Sequence, residues 1–236
     1  MTDMATGRLY GLGLGPGDPE LITLKALRLL RAAPVVAYPA PDCGDSFARR
    51  IVAAWLDRGQ REIAIRFPMR PGNPPAAIYQ AAATELAAVL DAGEDVACLC
   101  QGDPLFYGSF AGILTRLAGR YQVTVVPGVS SLSACAAAAL TPLVQRDQTL
   151  SVIPASLAED ELARRLGAVD AAAIVKLGRH FPKLRRVLAR LGLLENAVYV
   201  ERASLPTQRV AALAAVDPAS VPYFATALVR RGGPGG

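Results

Sequence analysis

The sequence predicts an α/β protein built as two α/β domains with a ligand cleft between them. Three observations predict it. First, short apolar runs alternate with segments of helical period from residue 8 to residue 139, in the order β-α-β-α-β-α-β-α-β-α. That alternation calls for a mainly parallel sheet wrapped by helices. Second, a polar stretch with one proline, 141–148, separates this block from a second α/β series, which places the domains at 1–145 and 146–236. Third, turns bearing Gly or Pro at 13–18, 102–104 and 127–131 each follow an expected strand. Ligands of open α/β sheets bind beyond the carboxyl ends of the strands, so convergence of these turns on one edge builds a cleft against the second domain.

The elements follow in order. Residues 8–14 read as a strand running into the loop Gly13-Leu14-Gly15-Pro16-Gly17-Asp18. The loop fails as a dinucleotide fingerprint. The third glycine of G-x-G-x-x-G falls on Pro16 when counted from Gly11, and on Asp18 when counted from Gly13. Asp18 also puts an acid where a phosphate needs neutral backbone donors. This disfavours a nucleotide-binding oxidoreductase. Asp18 and Pro19 instead start a helical turn, with aspartate as cap and proline first.

Residues 23–32 form a helix with Leu24, Leu27 and Leu30 on one face and Lys25, Arg28 and Arg31 on another. Residues 35–38 form a buried strand closed by Pro39 and Pro41. Phe47, Ile51 and Trp55 recur every fourth residue, giving a helix over 46–56 with Ser46 as cap. Ile63, Ile65 and Phe67 alternate with Ala64 and Arg66, a strand with one wet face. A loop over 68–75 leads to a long helix marked by Ile78, Ala82, Leu86 and Val89.

The central strand is 96–100. After it, Gly102 has no Cβ and Pro104 biases Asp103 toward extended geometry, so the backbone can approach a ligand. A helix over 111–117, a strand over 123–126 and a helix over 132–139 complete the first block. The second block has strands at 150–153, 172–175, 197–200 and 223–229. Its helices are 159–166 and one marked by Leu184, Val187, Leu188 and Leu191, with Lys183, Arg185, Arg186 and Arg190 on the opposite face.

Composition excludes several classes. The chain has 236 residues, 52% hydrophobic and 19% charged, which excludes disorder. No apolar run reaches the ~18 residues of a membrane span, and no membrane partner is expected. Residues 1–7 lack a basic flank followed by an apolar core, so no signal peptide is expected. The net charge is +5 and the pI about 9.2, which favours an anionic partner. The basic residues are dispersed rather than clustered, which argues against nucleic acid. Cys43, Cys98, Cys100 and Cys135 are read as reduced packing thiols, which points to the cytoplasm. Cys98 and Cys100 share a strand face and lie too close along it for an ordinary disulfide.

Hydrolytic machinery is missing. The single histidine, His180, follows Arg179 and has no serine elbow near it, so it reads as a surface or packing residue. There is no H-E-x-x-H, no lysine after a glycine loop and no metal-ligand cluster, so no metal is expected. What remains is chemistry in which the reactants carry their own reactivity and the protein positions them, such as alkyl transfer from a sulfonium.

The runs Gly11 to Thr23, Gly102-Asp103-Pro104 and Val126 to Ser131 resemble those of the tetrapyrrole methyltransferases, in the same order along the chain. Within that family the runs from Gly102 to Phe110, Lys176 to Arg179 and Tyr199 to Ala203 resemble the branch that methylates precorrin-2 at meso carbon 20 in cobalamin biosynthesis. One departure is His180, where the resemblance implies a polar amide.

The resemblance implies the class III methyltransferase fold, S-adenosylmethionine as cofactor, an anionic tetrapyrrole as substrate and a homodimer. It places the cofactor along Gly102, Asp103 and Phe106, reaching Ser130 and Ser131. The second domain would cap it from Pro154, Ala155, Lys176, Leu177, Pro222 and Tyr223. The tetrapyrrole would enter over Gly15, Pro16, Gly17 and Asp18. Arg66, Arg70, Arg146 and Arg202 are then candidate grips on its carboxylates, because arginine binds carboxylate bidentately. The meso proton needs a weak base, for which Asp18, Tyr107 and Glu201 are candidates. Relatives of the same fold that methylate another precorrin, RNA or a protein remain the alternative.

Overall fold

The computed structural model describes residues 6–68 and 76–231. The chain divides into two compact units, Met1–Ser130 and Ser131–Gly236.

The first unit holds β1 (Leu9–Gly13), α1 (Leu24–Ala32), β2 (Val35–Pro41), α2 (Phe47–Ile51), β3 (Arg61–Phe67), α3 (Ala76–Asp91), β4 (Val96–Cys100), α4 (Phe110–Leu117) and β5 (Val123–Val126). Its five strands lie in the order β3-β2-β4-β1-β5, all parallel. The two-residue period of a strand sends alternate side chains to opposite faces. On β4, Val96, Cys98 and Cys100 face α3 and α4, while Ala97 and Leu99 face α1 and α2. Both faces are therefore covered, as parallel sheets require.

The caps at Asp18 and Ser46 form as the sequence predicts: Asp18 accepts from the Glu20 N–H at 2.9 Å and Ser46 from the Arg49 N–H at 3.2 Å. Thr23, expected as the first residue of its helix, is a cap as well, accepting from the Ala26 N–H at 3.2 Å. Two elements differ in extent. Regular α2 stops at Ile51 rather than residue 56, and only turns follow, with the Trp55 N–H donating to the Val52 carbonyl at 2.8 Å. Strand β2 runs through Pro39 and Pro41 instead of stopping before them. It pairs with β4 only as far as Ala37, and beyond that with β3 alone. A strand bonded on one side tolerates residues without an N–H.

The second unit holds α5 (Ser131–Ala138), β6 (Leu150–Pro154), α6 (Glu159–Gly167), β7 (Ala171–Val175), α7 (Phe181–Arg190), β8 (Ala197–Glu201), β9 (Arg209–Ala212) and β10 (Ala225–Arg230). The sheet order is β6-β7-β10-β8-β9, with β10 antiparallel to both neighbours and β9 antiparallel to β8. Helices α6 and α7 cover one face and α5 the other, where Leu132, Ala134 and Cys135 pack on Ala173, Val200 and Leu228. Because α5 packs on this sheet, the division falls at Ser130 and Ser131 rather than at the expected 145/146. Residues 141–148 are held within the second unit by Arg230, whose guanidinium donates to Gln145 at 3.3 Å and Gln148 at 3.2 Å. Arg231 closes the carboxyl end of α6, donating to the carbonyls of Gly167 at 2.6 Å and Val169 at 2.8 Å.

All four cysteines are free thiols, and only Cys43 is exposed. Burial pushes the Cys98 thiol up to about 12 and Cys135 to about 11, and holds Cys100 well above the ordinary thiol range. The thiolate is the reactive form. A thiol-specific disulfide reagent at pH 8 is therefore expected to titrate one group quickly in the native protein and the other three only after denaturation. A second fast thiol would show that a sheet opens in solution.

Candidate functional site

The turns after β1, β4 and β5 meet in one place. The Leu14 N–H donates to the Cys100 carbonyl at 2.9 Å, Gly102 N–H to the Gly15 carbonyl at 2.7 Å and Gly15 N–H to the Gly102 carbonyl at 3.3 Å. Gly102 (φ +68°) and Gly15 (φ +76°) both need the left-handed backbone that glycine adopts without strain. The third turn is drawn in by Asp103. One oxygen accepts the Leu105 N–H at 2.9 Å and the other the Gly128 N–H at 3.0 Å. The contact is so close that a Cβ on Gly128 would lie 2.1 Å from the Gly102 carbonyl oxygen.

This junction lies at the switch point of the sheet. Adjacent strands β1 and β4 send their carboxyl-end loops to opposite faces, β1 to α1 and β4 to α4. That divergence opens the crevice in which ligands of parallel sheets bind. Around it Leu105, Phe106 and Tyr107 are 54%, 39% and 55% exposed, and the Phe106 and Tyr107 rings meet edge to face at 5.1 Å. Tyr107 has φ +57°, an uncommon position for an aromatic residue. Where β2 and β4 part, a small recess of about 10 Å³ is lined by Tyr38, Pro39, Phe67, Cys100, Ser109 and Phe110.

In the second unit the carboxyl ends of β6, β7 and β8 carry the predicted residues. The Ala155 N–H donates to the Val175 carbonyl at 2.8 Å, tying the turn after β6 to β7. Lys176 (φ +59°) and Arg202 (φ +49°) hold left-handed backbone just past β7 and β8. Glu201 is 7% exposed, and its carboxylate accepts from the buried Tyr199 hydroxyl at 2.5 Å. Burial first, and then that carboxylate, push the Tyr199 phenol well above its ordinary range.

Comparison with known proteins decides the family. The model of the tetrapyrrole (corrin/porphyrin) methylases matches residues 8–216. Precorrin-2 C(20)-methyltransferase of a Sinorhizobium species is 43% identical over 97% of this chain and 97% of its own. The chain belongs to the tetrapyrrole methylase family. Cobalamin biosynthesis protein CobIJ of Mycobacterium tuberculosis is 49% identical over 97% of this chain but 47% of its own, so this chain spans about half the length of that relative. Among solved structures, uroporphyrin-III C-methyltransferase of Thermus thermophilus, complexed with S-adenyl homocysteine, is 29% identical with a TM-score of 0.68. The match covers 95% of this chain and 92% of the other.

In this tetrapyrrole methylase the structure joins Gly15, Gly102 and Asp103 into one junction, with Phe106 in the same turn. It narrows other expectations. The backbone N–H groups of Gly102 and Ala155, two residues expected along the cofactor, are engaged by Gly15 and Val175, so only their carbonyls can accept a further bond. The Leu177 side chain is fully buried and presents no surface to a ligand. Gly15, Pro16 and Gly17 are buried too, leaving Asp18 as the half-buried edge of that loop. Ser130 is half-buried and Ser131 exposed at the start of α5, while Pro154 and Pro222 are half-buried and Tyr223 is 70% exposed.

Of the arginines, Arg66 donates to the Pro41 carbonyl at 3.0 Å, so it clips the end of β2. Arg146 is exposed at φ +47°, and Arg70 lies outside the described residues. His180 is half-buried at the start of α7, its imidazole pushed down by burial and by neighbouring Lys183 and Arg179, in line with a packing role. Sequence reasoning placed Gly13 in the loop but not its close approach to the third turn, where its Cβ would lie 2.4 Å from the Gly128 nitrogen, and it missed the pairing of Tyr199 with Glu201. The signal for that pair was present as an i, i+2 spacing on one strand.

Proposed function

We propose that this chain is an S-adenosylmethionine-dependent methyltransferase that adds a methyl group to meso carbon 20 of precorrin-2, giving precorrin-3A, or to the cobalt-carrying equivalent, in cobalamin biosynthesis. The observation that carries the reading is the near full-length likeness to the Sinorhizobium enzyme. S-adenyl homocysteine in the Thermus relative is what such a cofactor leaves after giving up its methyl.

The residues present fit the cofactor. Gly102 faces open space: a Cβ there meets nothing within 4 Å. Leu105 and Phe106 offer exposed apolar faces that suit an adenine ring. When bound, the cofactor supplies a methyl on a positively charged sulfur. The chain's own contribution is placement: Asp103 locks two turns, and the glycines let the backbone close up beneath the ligand. Arg66, Arg70, Arg146 and Arg202 are assigned as carboxylate grips, and the net charge of +5 favours the polyanionic substrate. Asp18 and Tyr107 are the candidates on the first unit for the single acceptor of the meso proton. Pro154, Ala155, Lys176, Leu177, Pro222 and Tyr223 are assigned cofactor contacts on the second, through backbone at Leu177.

The same reading assigns a cytoplasmic homodimer acting without nucleic acid or membrane. Leu140, 91% exposed just past α5, supports a covered face, and sedimentation equilibrium checks it. No helix among the described residues is long and apolar enough to cross a membrane.

Incubation with S-adenosylmethionine and precorrin-2, with and without cobalt, is expected to add one methyl by mass spectrometry. A labelled methyl should appear at the meso position by carbon NMR. Cofactor binding without a methylated tetrapyrrole would move the search to another precorrin, RNA or protein acceptor.

A further inference from the structure

Strand β8 ends on Glu201, and two of the next three residues are non-glycine residues in left-handed backbone: Arg202 at φ +49° and Ser204 at φ +70°. Such positions persist only where the surroundings over-determine them, and they cluster at binding sites. Here the Arg202 N–H donates to the Phe224 carbonyl at 2.8 Å, and the Ser204 N–H to the Gln208 side chain at 2.8 Å. The backbone of Arg202 is therefore held between the end of β8 and the residue before β10.

Its side chain has a charged neighbour as well. One oxygen of the buried Glu201 takes the hydroxyl of the fully buried Tyr199. The other lies 3.7 Å from the Arg202 guanidinium, whose side chain is 44% exposed. A carboxylate anchored from behind by a phenol holds the cation at the surface. Just before β10, Tyr223 and Phe224 are 70% and 40% exposed, their rings edge to face at 5.3 Å. An arginine ion-paired with a buried acid, and hydrogen-bonded through its backbone to an exposed aromatic pair, suits a ligand that is both flat and carboxylated.

We propose that Glu201 is a positioning residue: it sets the Arg202 guanidinium to grip a carboxylate of the substrate, beside apolar surface from Tyr223 and Phe224. Glu201 is then not the acceptor of the meso proton. A base needs an oxygen within reach of the proton it takes, and the Glu201 oxygens are turned to Tyr199 and Arg202 inside the fold. The inference rests on the tetrapyrrole reading above.

The test compares E201Q, R202A and the double variant in two assays: kinetics with precorrin-2, and binding of uroporphyrin, a stable octacarboxylate, by fluorescence quenching. E201Q and R202A are each expected to raise KM for precorrin-2 and Kd for uroporphyrin by about tenfold, with kcat and cofactor affinity within about twofold. The double variant should lose no more than R202A alone, because contacting groups that act as one are not additive. Tyr199→Phe, which keeps the ring and drops the hydroxyl, should give a smaller rise in KM. Thermal melting shows whether each variant folds.

A fall of about a hundredfold in kcat for E201Q at unchanged KM, with loss of the acid limb of the pH profile, would make Glu201 the base and overturn the proposal. Additive losses in the double variant would show that the two residues act independently and overturn it too. If the wild type binds cofactor but does not methylate precorrin-2, the substrate reading fails. The uroporphyrin cycle then still decides whether Glu201 and Arg202 form one anchor.

Discussion

Gly128→Ala is expected to destroy cofactor binding and cut methyl transfer by more than about a hundredfold, while costing about 2–3 kcal/mol of stability. The added Cβ would lie 2.1 Å from the Gly102 carbonyl oxygen and 2.8 Å from the Gly13 Cα, so all of its nearest neighbours are backbone. Backbone cannot rotate out of the way as a side-chain tip can. The turn after β5 must retreat by about an ångström, a displacement that can by itself cost a hundredfold in a positioned reaction. Retreat also pulls the Gly128 N–H off Asp103, releasing the turn that carries Phe106. Gly119→Ala is the control: nothing lies within 4 Å of its Cβ and its φ is ordinary. Calorimetry with S-adenosyl homocysteine and urea denaturation measure both quantities. Wild-type cofactor affinity in Gly128→Ala would show that the junction is not the cofactor floor.

The first unit was legible because its signals are local. Each strand is a short apolar run, most helices carry a periodic stripe, and two starts show a capping residue in the sequence, Asp18 and Ser46. The parallel sheet follows from alternation, since helices between strands return the chain to the same edge. The second unit was less legible for two physical reasons. Strand β9 is four residues long, largely exposed and without alternation, so Arg209–Ala212 looks like loop until β8 is seen beside it. Periodicity also says nothing of direction, so the antiparallel placing of β10 between β7 and β8 was not visible.

The candidate site divides in the same way. Gly102 and Asp103 stood out as a glycine-acid-proline turn at a strand end. The sequence could not show which of their groups face inward. Bonds such as Gly102 to Gly15 join residues far apart in the chain, and they remove donors that a local reading leaves free for a ligand. Burial of the Leu177 side chain is of the same kind, since it depends on what α6 and α7 bring against it.

Asp103→Ala is expected to weaken cofactor binding by about ten- to a hundredfold and to cost about 2–3 kcal/mol of stability, with a smaller effect on tetrapyrrole affinity. The reasoning turns on what its carboxylate does. Both oxygens are occupied by backbone N–H groups, Leu105 at 2.9 Å and Gly128 at 3.0 Å, so the side chain is a clip between two turns. Removing it leaves two donors without an acceptor and frees the Leu105–Phe106 surface from the glycine floor. Asp103→Asn separates the two bonds. The amide keeps one acceptor oxygen and turns an NH2 toward the other donor, so an intermediate loss is expected if both bonds matter. If one bond carries the effect, Asn should match wild type or Ala, depending on which donor its oxygen meets. Charge alone predicts a different pattern: Asn and Ala equally weak for the cationic cofactor, and both near wild type for its uncharged thioether product. Calorimetry with S-adenosylmethionine and S-adenosyl homocysteine on the three proteins distinguishes these cases, and wild-type affinity for both ligands in Asp103→Ala would remove Asp103 from the site.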